Sequence, residues 1–298
     1  REGNNTVLMR LLTLLYSRMG DALICDGKVS EALSNYQQDF NLIQPLVAAD
    51  PSDVHLRQRL VGALASMGDA QMHLGRFKAG RELMSRAFGE LEKLPGNDAQ
   101  VLSYRAFVLV VTGELLQKSG DIPGALRNYA QALQIYSSFS QADAPDTEDQ
   151  VNLSEVRDHL GRAYLEAGQA GKASSEYGRA CEMSESLLSS HPDNIEILYA
   201  LGDCYAGLGN VAAASARRAA NPTDQARRWS ISLGWYSKSL SAWKRIPNPS
   251  RIAPNGFEVG GMQQAIRAAE AAANKAVKLR GNNIPRRRKL RDAGVALD

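Results

Sequence analysis

Small residues recur at fixed spacings along this chain, and this recurrence restricts its fold more than any other feature. A glycine preceded in most copies by an apolar residue returns after 48, 45, 48 and 41 residues, at Gly20, Gly68, Gly113, Gly161 and Gly202. Twelve residues after the first four glycines stand Ala32, Gly80, Ala125 and Ala173. Sixteen residues after them stand Tyr36, Met84, Tyr129 and Tyr177. Offsets kept through four copies indicate a repeated supersecondary unit.

Each of the first four copies predicts a pair of helices. A polar turn, "DGK", "LGR", "SGD" or "AGQ", separates two segments whose apolar residues recur at three- and four-residue steps. Glycine within a helix costs about 1 kcal/mol relative to alanine, so its recurrence favours a close approach of the second helix through its own alanine. The aromatic residue then fills the space beside that contact. The predicted pairs are 6–26 with 28–49, 52–74 with 76–94, 98–119 with 121–141, and 147–168 with 170–190.

Composition agrees with an all-α chain. Aromatic residues make up only 6% of the sequence, whereas strands favour aromatic and β-branched residues. The longest apolar stretches each carry an arginine, so the sequence predicts no membrane span. The chain begins at Arg1 without a signal-peptide pattern, and we expect it to be a processed product or a piece of a longer protein.

The segments "LGRAYLEAGQAGKASSEYGRA" (160–180) and "LGDCYAGLG" (201–209) resemble the tetratricopeptide repeat (TPR). The resemblance implies a right-handed superhelical solenoid of antiparallel helix pairs, with a concave groove that binds a partner peptide or helix. The repeat of 45–48 residues is similar to that of TPR regions that follow bacterial serine/threonine kinase domains. The segment 239–260 resembles the closing part of such a region, which implies a sensory or regulatory region of a bacterial signalling protein.

The positions of the repeat copies in the sequence predict the domain organisation. Residues 1–246 form five helix pairs, and the fifth carries an insertion at 210–228 before its second helix. Gly80 and Met84 replace the usual alanine and tyrosine, which predicts a looser second pair. A Pro/Gly-rich connector follows at 247–260. Residues 261–280 are predicted to form a helix that caps the stack, and 281–298 a basic tail.

The sequence contains no recognisable catalytic pattern. Phosphate-binding loops, His-Glu-x-x-His and Cys-x-x-Cys are absent, and the four histidines are isolated from one another in sequence. Cys25, Cys181 and Cys204 are too few and too scattered for a disulfide framework or a thiolate metal site, so we interpret them as small core residues. We therefore predict no catalytic residue, cofactor or metal, and a protein that is not an enzyme.

The expected binding surface is the groove lined by the first helix of each pair. The residue after each repeat glycine lies there, and four of these five residues are acidic: Asp21, Asp69, Glu114, Arg162 and Asp203. Arg18, His73, Asp158, His159 and Tyr199 are further predicted groove residues. Two interpretations stand: the acids are solvated or paired along their helices, or they select a basic or amine-bearing partner. No small-molecule substrate is expected.

The last 24 residues hold eight basic and two acidic side chains, so the body of the chain, with 27 basic and 30 acidic residues, is slightly acidic. The tail has three interpretations: a solvated end, a contact with nucleic acid or anionic lipid, or docking into an acidic groove of its own or a neighbouring copy. A regulator that touches nucleic acid or an anionic surface is thus the alternative function. We expect a cytoplasmic location by default, or an extracytoplasmic one if the region follows a membrane span.

Overall fold

The computed structural model describes residues 2–96, 98–140, 146–246 and 263–278, and every regular element in these ranges is an α-helix. The helices are α1 Glu2–Cys25, α2 Val29–Ala49, α3 Val54–His73, α4 Phe77–Leu91, α5 Ala99–Lys118, α6 Ile122–Phe139, α7 Thr147–Glu166, α8 Ala170–Ser190, α9 Ile195–Arg217, α10 Pro222–Trp243 and α11 263–278. The predicted connector 247–260 and the basic tail 281–298 lie outside the described residues.

The chain divides into two compact units, the first with α1–α7 and the second with α8–α11. In the first unit each helix packs against the next along the chain, and α3 also contacts α5, which contacts α7. The helices of the first three predicted pairs lie close to their predicted positions. Those of the fourth, α7 and α8, both form and belong to different units.

Glycines in the left-handed conformation end the first helices of the early pairs. Gly27, Gly75 and Gly120 have φ angles of 73°, 73° and 87°. After α1, the backbone N–H of Lys28 donates to the carbonyl of Leu23 at 2.8 Å, which closes the last turn in the manner of a Schellman motif. The "DGK", "LGR" and "SGD" turns are therefore helix stops that need glycine, since a side chain disfavours this φ.

The repeat glycines within the helices make room for a side chain of the second helix. A methyl group on Gly20 would overlap the ring of Tyr36, and one on Gly68 would overlap the end of Met84. This refines the sequence interpretation, because the aromatic ring covers the glycine itself rather than the space beside an alanine contact. The expectation of a looser second pair is wrong: a methyl group on Gly68 would lie 3.3 Å from the carbonyl oxygen of Gly80, so these two backbones approach closely.

One helix, α5, is long and apolar enough to cross a membrane when judged by length and composition alone, with a mean hydropathy of 1.3. A buried helix of a folded domain passes the same test. Seven of its side chains or glycines are buried, and it packs against α3, α4 and α6. Its apolar character therefore matches its position in the core of the first unit.

The second unit contains the fifth pair and α11. Residues 210–217 are the last turns of α9, and α10 begins at Pro222, so the predicted insertion lengthens both helices instead of preceding the second at Trp229. Ala269 of α11 belongs to the same buried cluster as Trp229 and Tyr236 of α10. The helix at 263–278 thus covers apolar surface of the fifth pair.

Cys181 of α8 and Cys204 of α9 form a disulfide, with their Cα atoms 5.6 Å apart. Both residues are buried, as a core position requires. The prediction of unlinked core cysteines is therefore wrong for this pair. Sequence could not show the link, because it depends on how α8 and α9 are placed against one another.

Candidate binding surface on the first helices

Helix α5 contacts both α3 and α7, and these three first helices of the first unit carry six predicted groove residues. These are Asp69 and His73 on α3, Glu114 on α5, and Asp158, His159 and Arg162 on α7. We call Asp69, His73, Glu114, His159 and Arg162 the central cluster. Its members are separated by up to 93 positions in sequence and meet because the repeat places equivalent turns of successive helices side by side.

Contacts within the central cluster alternate between acidic and basic groups. His73 Nε2 lies 3.5 Å from Asp69 Oδ1, one helical turn away on α3. His159 Nδ1 lies 3.4 Å from Glu114 Oε1, which joins α7 to α5. Arg162 Nη2 donates to His159 Nδ1 at 2.7 Å. Asp69 and Glu114 thus each lie beside a histidine of the first unit, and Arg162 contacts the second of these histidines.

Burial controls the ionisation of the two acids in the central cluster. It raises the pKa of Asp69 to about 7. Burial also raises the pKa of Glu114 to about 7, against the opposing effect of Arg162. Both carboxyl groups therefore exchange protons close to neutral pH, where an ordinary surface carboxylate stays fully ionised.

Burial has the opposite effect on the pKa values of the two histidines, because it disfavours their charged form. Burial lowers the pKa of His73, and the charge of Glu114 opposes this effect. Burial and the neighbouring Arg162 hold the pKa of His159 well below its usual range. Its ring stacks on Tyr129, with the ring centroids 5.2 Å apart. A neutral His159 that carries its proton on Nε2 can accept the Arg162 hydrogen bond at Nδ1, so its contact with Glu114 is not an ion pair.

A second polar group, which we call the N-terminal cluster, contains Arg18, Asp21, Asp39 and Arg59. Asp21 accepts a hydrogen bond from the hydroxyl of Tyr36 at 3.0 Å and lies 3.9 Å from Arg18. The side chains of Arg18 and Asp21 are 77% and 47% exposed, so a partner can reach them. Burial raises the pKa of Asp21, although its hydrogen bond with Tyr36 and the charge of Arg18 oppose that effect.

Sequence reasoning missed the ion pair in this cluster. Asp39 of α2 is buried, and its Oδ1 lies 3.6 Å from Arg59 Nη2 of α3. Burial raises the pKa of Asp39 to about 6, against the effect of Arg59. A signal was present: Asp39 stands nineteen residues after its repeat glycine, where the next three copies have alanine. An acid at a core alanine position indicates a basic partner on a neighbouring helix.

Two predicted groove residues belong to the second unit. Tyr199 and Asp203 of α9 are both buried, as are the predicted groove residues Asp158 and His159 of α7. The ring of Tyr199 meets Trp243 of α10 edge to face, with centroids 5.1 Å apart. The sequence pattern places Tyr199 and Asp203 on the first helix of the fifth pair but does not show how much of that helix neighbouring elements cover.

Within the four described ranges, no group of three or more His, Cys, Asp or Glu side chains is placed to hold a metal ion. The central cluster instead mixes acids with an arginine, and cations so close to the carboxylates would repel a metal. Its chemistry suits recognition of charged or hydrogen-bonding groups.

No protein-family model matches the chain, and a search of curated proteins gives no match. Among solved structures, BtubC from P. vanneervenii superposes over 85% of this chain and 91% of its own, with a TM-score of 0.50 and 14% identity. TPR-like repeats of a putative kinesin light chain from Podosopora anserina cover 78% of this chain and 97% of theirs, with a TM-score of 0.48 and 16% identity. TTC0263, a TPR protein of Thermus thermophilus, covers 87% and 99%, with a TM-score of 0.44 and 15% identity.

The likeness to BtubC, taken with the packed helix pairs, shows the fold. The chain has the all-α, TPR-like solenoid fold that the resemblance to the tetratricopeptide repeat implies. Such a fold offers the exposed side chains of its first helices as a continuous surface.

Proposed function

We propose that the chain is a protein-interaction module whose first unit binds a basic segment of a partner along α1, α3 and α5. The observation that carries this proposal is the pair of partly buried carboxyl groups, Asp69 and Glu114, on adjacent first helices with pKa values of about 7. A lysine or arginine brought next to them would favour their ionised forms. The partner would thereby gain two charged contacts in a region of low exposure.

The predicted groove residues differ in how accessible they are to a partner. On α7, Arg162 already contacts Asp158 at 3.8 Å and His159, so the partner's cation has no place there. Asp21 and Asp69 are more accessible, with side chains 47% and 22% exposed. The proposed contact therefore runs from Asp21 on α1 towards Glu114 on α5.

The test compares two double variants with the same loss of charge. Asp21→Asn with Asp69→Asn removes acids from the proposed surface, and Glu31→Gln with Glu82→Gln removes exposed acids from α2 and α4. Binding is measured against an array of synthetic peptides in matched basic and acidic sets. We expect the wild type and the control to retain basic peptides, and the Asp variant to bind about tenfold more weakly. Equal retention by both double variants, with intact helicity, would refute the proposed surface.

A proton measurement distinguishes this surface from any other acidic patch. Since Asp69 and Glu114 are about half protonated near pH 7, a bound cation should expel protons. Titration calorimetry with a retained basic peptide, in buffers of different ionisation enthalpy, should show proton release near pH 7. Binding should also tighten between pH 6 and 8. Absence of proton release would mean that the peptide binds elsewhere.

We further propose that this module serves as a regulatory region of a bacterial signalling protein, without a catalytic step of its own. The support is the length of the repeats, 45 and 48 residues, which resembles that of repeat regions following bacterial kinase domains. Identification of the flanking domains in the full-length protein tests this proposal. A chain with no kinase or receptor domain beside it would count against the signalling role.

The alternative proposal is contact with nucleic acid or anionic lipid through the basic tail. Its support is the charge of the last 24 residues, eight basic against two acidic, on a body that is slightly acidic. Deletion of residues 284–298 should abolish retention on nucleic acid or anionic vesicles at low salt. If deletion instead strengthens binding of basic peptides, the tail competes for the proposed surface. If neither changes, the tail is a solvated end.

The disulfide supports an extracytoplasmic location over the cytoplasmic default. A link between Cys181 and Cys204 persists in oxidising compartments and is reduced in most cytosols. We therefore propose that the second unit matures outside the reducing cytoplasm. Thiol labelling of the protein in intact cells tests this: an impermeant reagent applied after reduction should label the extracytoplasmic protein, and labelling only after lysis would contradict it.

A further inference from the structure

A cavity of about 550 Å³ lies between α2 and α4 in the first unit. Its floor is formed by Leu60 and Leu64 of α3, and one wall by Phe40 and Val47 of α2. All four side chains are more than nine-tenths buried. The volume lies within the range of small-molecule sites, and such sites combine an apolar floor with few polar groups.

The second wall of the cavity is formed by α4, and it contains a glycine. Gly89 of α4 lines the cavity, and a methyl group placed on it would meet no atom within 4 Å. Helix packing therefore does not require glycine here, in contrast to Gly20, Gly68 and Gly113. The missing side chain leaves open the space between α2 and α4.

The carboxylate of Glu90, at the rim near Pro51, is hydrogen-bonded to two cations. Glu90 accepts hydrogen bonds from Arg57 Nη1 at 2.5 Å and from Lys93 Nζ at 2.7 Å, one on each oxygen. Arg57 also donates to the carbonyl of Pro51 at 2.8 Å. Each oxygen of the single acid that lines the cavity thus accepts one hydrogen bond from a cation, and the lining residues include three cations and one anion.

The third cation, Arg86, stands over the opposite end of the cavity. Its guanidinium lies 5.0 Å from the centroid of the Phe40 ring. Within the described part of the chain it makes no ion pair. The guanidinium of Arg86 is exposed to solvent and lies beside the apolar floor, where it can receive a carboxylate in bidentate fashion.

We propose that this cavity binds a small carboxylate with an apolar tail, with the carboxylate on Arg86 and the tail over Leu60, Leu64 and Val47. The charge balance selects an anion, because Glu90 is already neutralised by its two partners. The apolar floor selects a hydrocarbon tail over a small inorganic anion. Since Pro51 and the Arg57–Glu90–Lys93 network border one end, we infer a molecule that ends inside the cavity rather than a continuing peptide chain.

Three variants of the full chain and two probes test the site. The probes are decanoate and decanol, which share a tail and differ in charge. Arg86→Gln removes the cation, Gly89→Leu places an apolar side chain in the cavity at a position where a Cβ atom meets nothing within 4 Å, and Lys78→Gln removes an exposed cation of α4 that does not line it. Binding is measured by titration calorimetry after circular dichroism confirms equal helicity.

We expect the wild type and Lys78→Gln to bind decanoate alike. Arg86→Gln should bind it about ten- to a hundredfold more weakly, with decanol unaffected, because only the charge-assisted hydrogen bonds are lost. Gly89→Leu should lose both probes. Absence of decanoate binding by the wild type, or equal binding by Gly89→Leu, would overturn the proposal. So would a change of oligomeric state in Gly89→Leu without any probe, since a second copy would then be what covers the cavity.

Discussion

The ring of Tyr129 rests on Gly113, and a methyl group added to that glycine would lie 2.5 Å from Tyr129 Cε1 and 2.8 Å from Cδ1. Tyr129 is fully buried, and its hydroxyl donates to Gln117 Oε1 at 2.9 Å, one turn further along α5. The hydrogen bond fixes one end of the ring and the packing fixes the rest. Glycine is therefore required here by contact with a rigid side chain, and not by its backbone conformation.

Replacement of Gly113 by alanine should destabilise the first unit. Alanine gains about 1 kcal/mol of helix propensity, but the overlap with the Tyr129 ring forces a shift that costs about 1–3 kcal/mol, so we expect no net gain and up to about 2 kcal/mol of loss. Gly178→Ala is the control, because a methyl group there meets nothing within 4 Å. It should be neutral or stabilising by up to about 1 kcal/mol.

Urea unfolding measured by circular dichroism compares these two variants. The double variant Gly113→Ala with Tyr129→Leu should be more stable than the sum of the single effects predicts, because the smaller side chain relieves the overlap. Equal stability of Gly113→Ala and Gly178→Ala would show that the contact between Gly113 and Tyr129 does not explain the recurring glycine.

The offsets in the sequence predict the helix pairs well because they record contacts between neighbouring helices of one repeat. Gly113 and Tyr129 are an example, since both lie within a single hairpin of fixed length. For contacts between repeats the offsets do not show both partners, although Asp39 at an alanine position indicates one of them. Arg59 and Asp39 meet across α2 and α3, and His159 meets Glu114 across α7 and α5. Which residues face each other there depends on crossing angles and helix lengths that a spacing does not encode.

The disulfide can be tested by the mass of the oxidised chain and by its melting temperature. The oxidised chain should have the mass of its sequence less two hydrogens, and Cys25→Ser should retain that difference while Cys204→Ser should not. Cysteines separated by 23 residues close a loop whose loss we expect to cost about 3 kcal/mol. Reduction should therefore lower the melting temperature of the wild type and leave Cys204→Ser unchanged. Three free thiols in the unfolded, unreduced wild type would contradict the link.

The ionisation of Asp69 should make stability depend on pH. Its pKa is about 7 in the folded chain against an ordinary value of 3.8, so the folded state binds more protons between these values. The stability present below about pH 4 is therefore lost as pH rises through 7. Glu114, His73, Lys118 and Arg162 also act on this region, so the comparison must isolate Asp69.

Asp69→Asn removes that ionisation and nearly preserves shape. The difference in free energy of unfolding between Asp69→Asn and the wild type should favour the variant increasingly from about pH 4 to 7 and become constant above it. Urea titrations at pH 5, 7 and 8.5 measure this difference. Glu82→Gln, on the exposed face of α4, should show no such trend. A difference independent of pH would mean that Asp69 stays ionised in the folded protein.

The pair formed by buried Asp39 and partly exposed Arg59 offers the sharpest test of how a repeat tolerates an acid at an alanine position. The pair is incompletely satisfied, because Asp39 Oδ1 and Arg59 Nε each lack a hydrogen-bond partner among the described residues. Replacement of either side chain leaves the other without its charged partner. Arg59→Met should raise the pKa of Asp39 above 6, so the variant should lose about 1–3 kcal/mol at pH 8 and less at pH 5, where the acid is protonated.

The double variant Asp39→Ala with Arg59→Met restores the alanine found at Ala87, Ala132 and Ala180 and replaces the arginine by an apolar chain of similar length. An incompletely bonded ion pair can be exchanged for apolar groups at little cost, so the double variant should be as stable as the wild type or more stable, at both pH values. A double-mutant cycle by urea unfolding at pH 5 and 8 measures the coupling. If Arg59→Met is as stable as the wild type at pH 8, Asp39 does not depend on Arg59, and the acid must be stabilised by water instead.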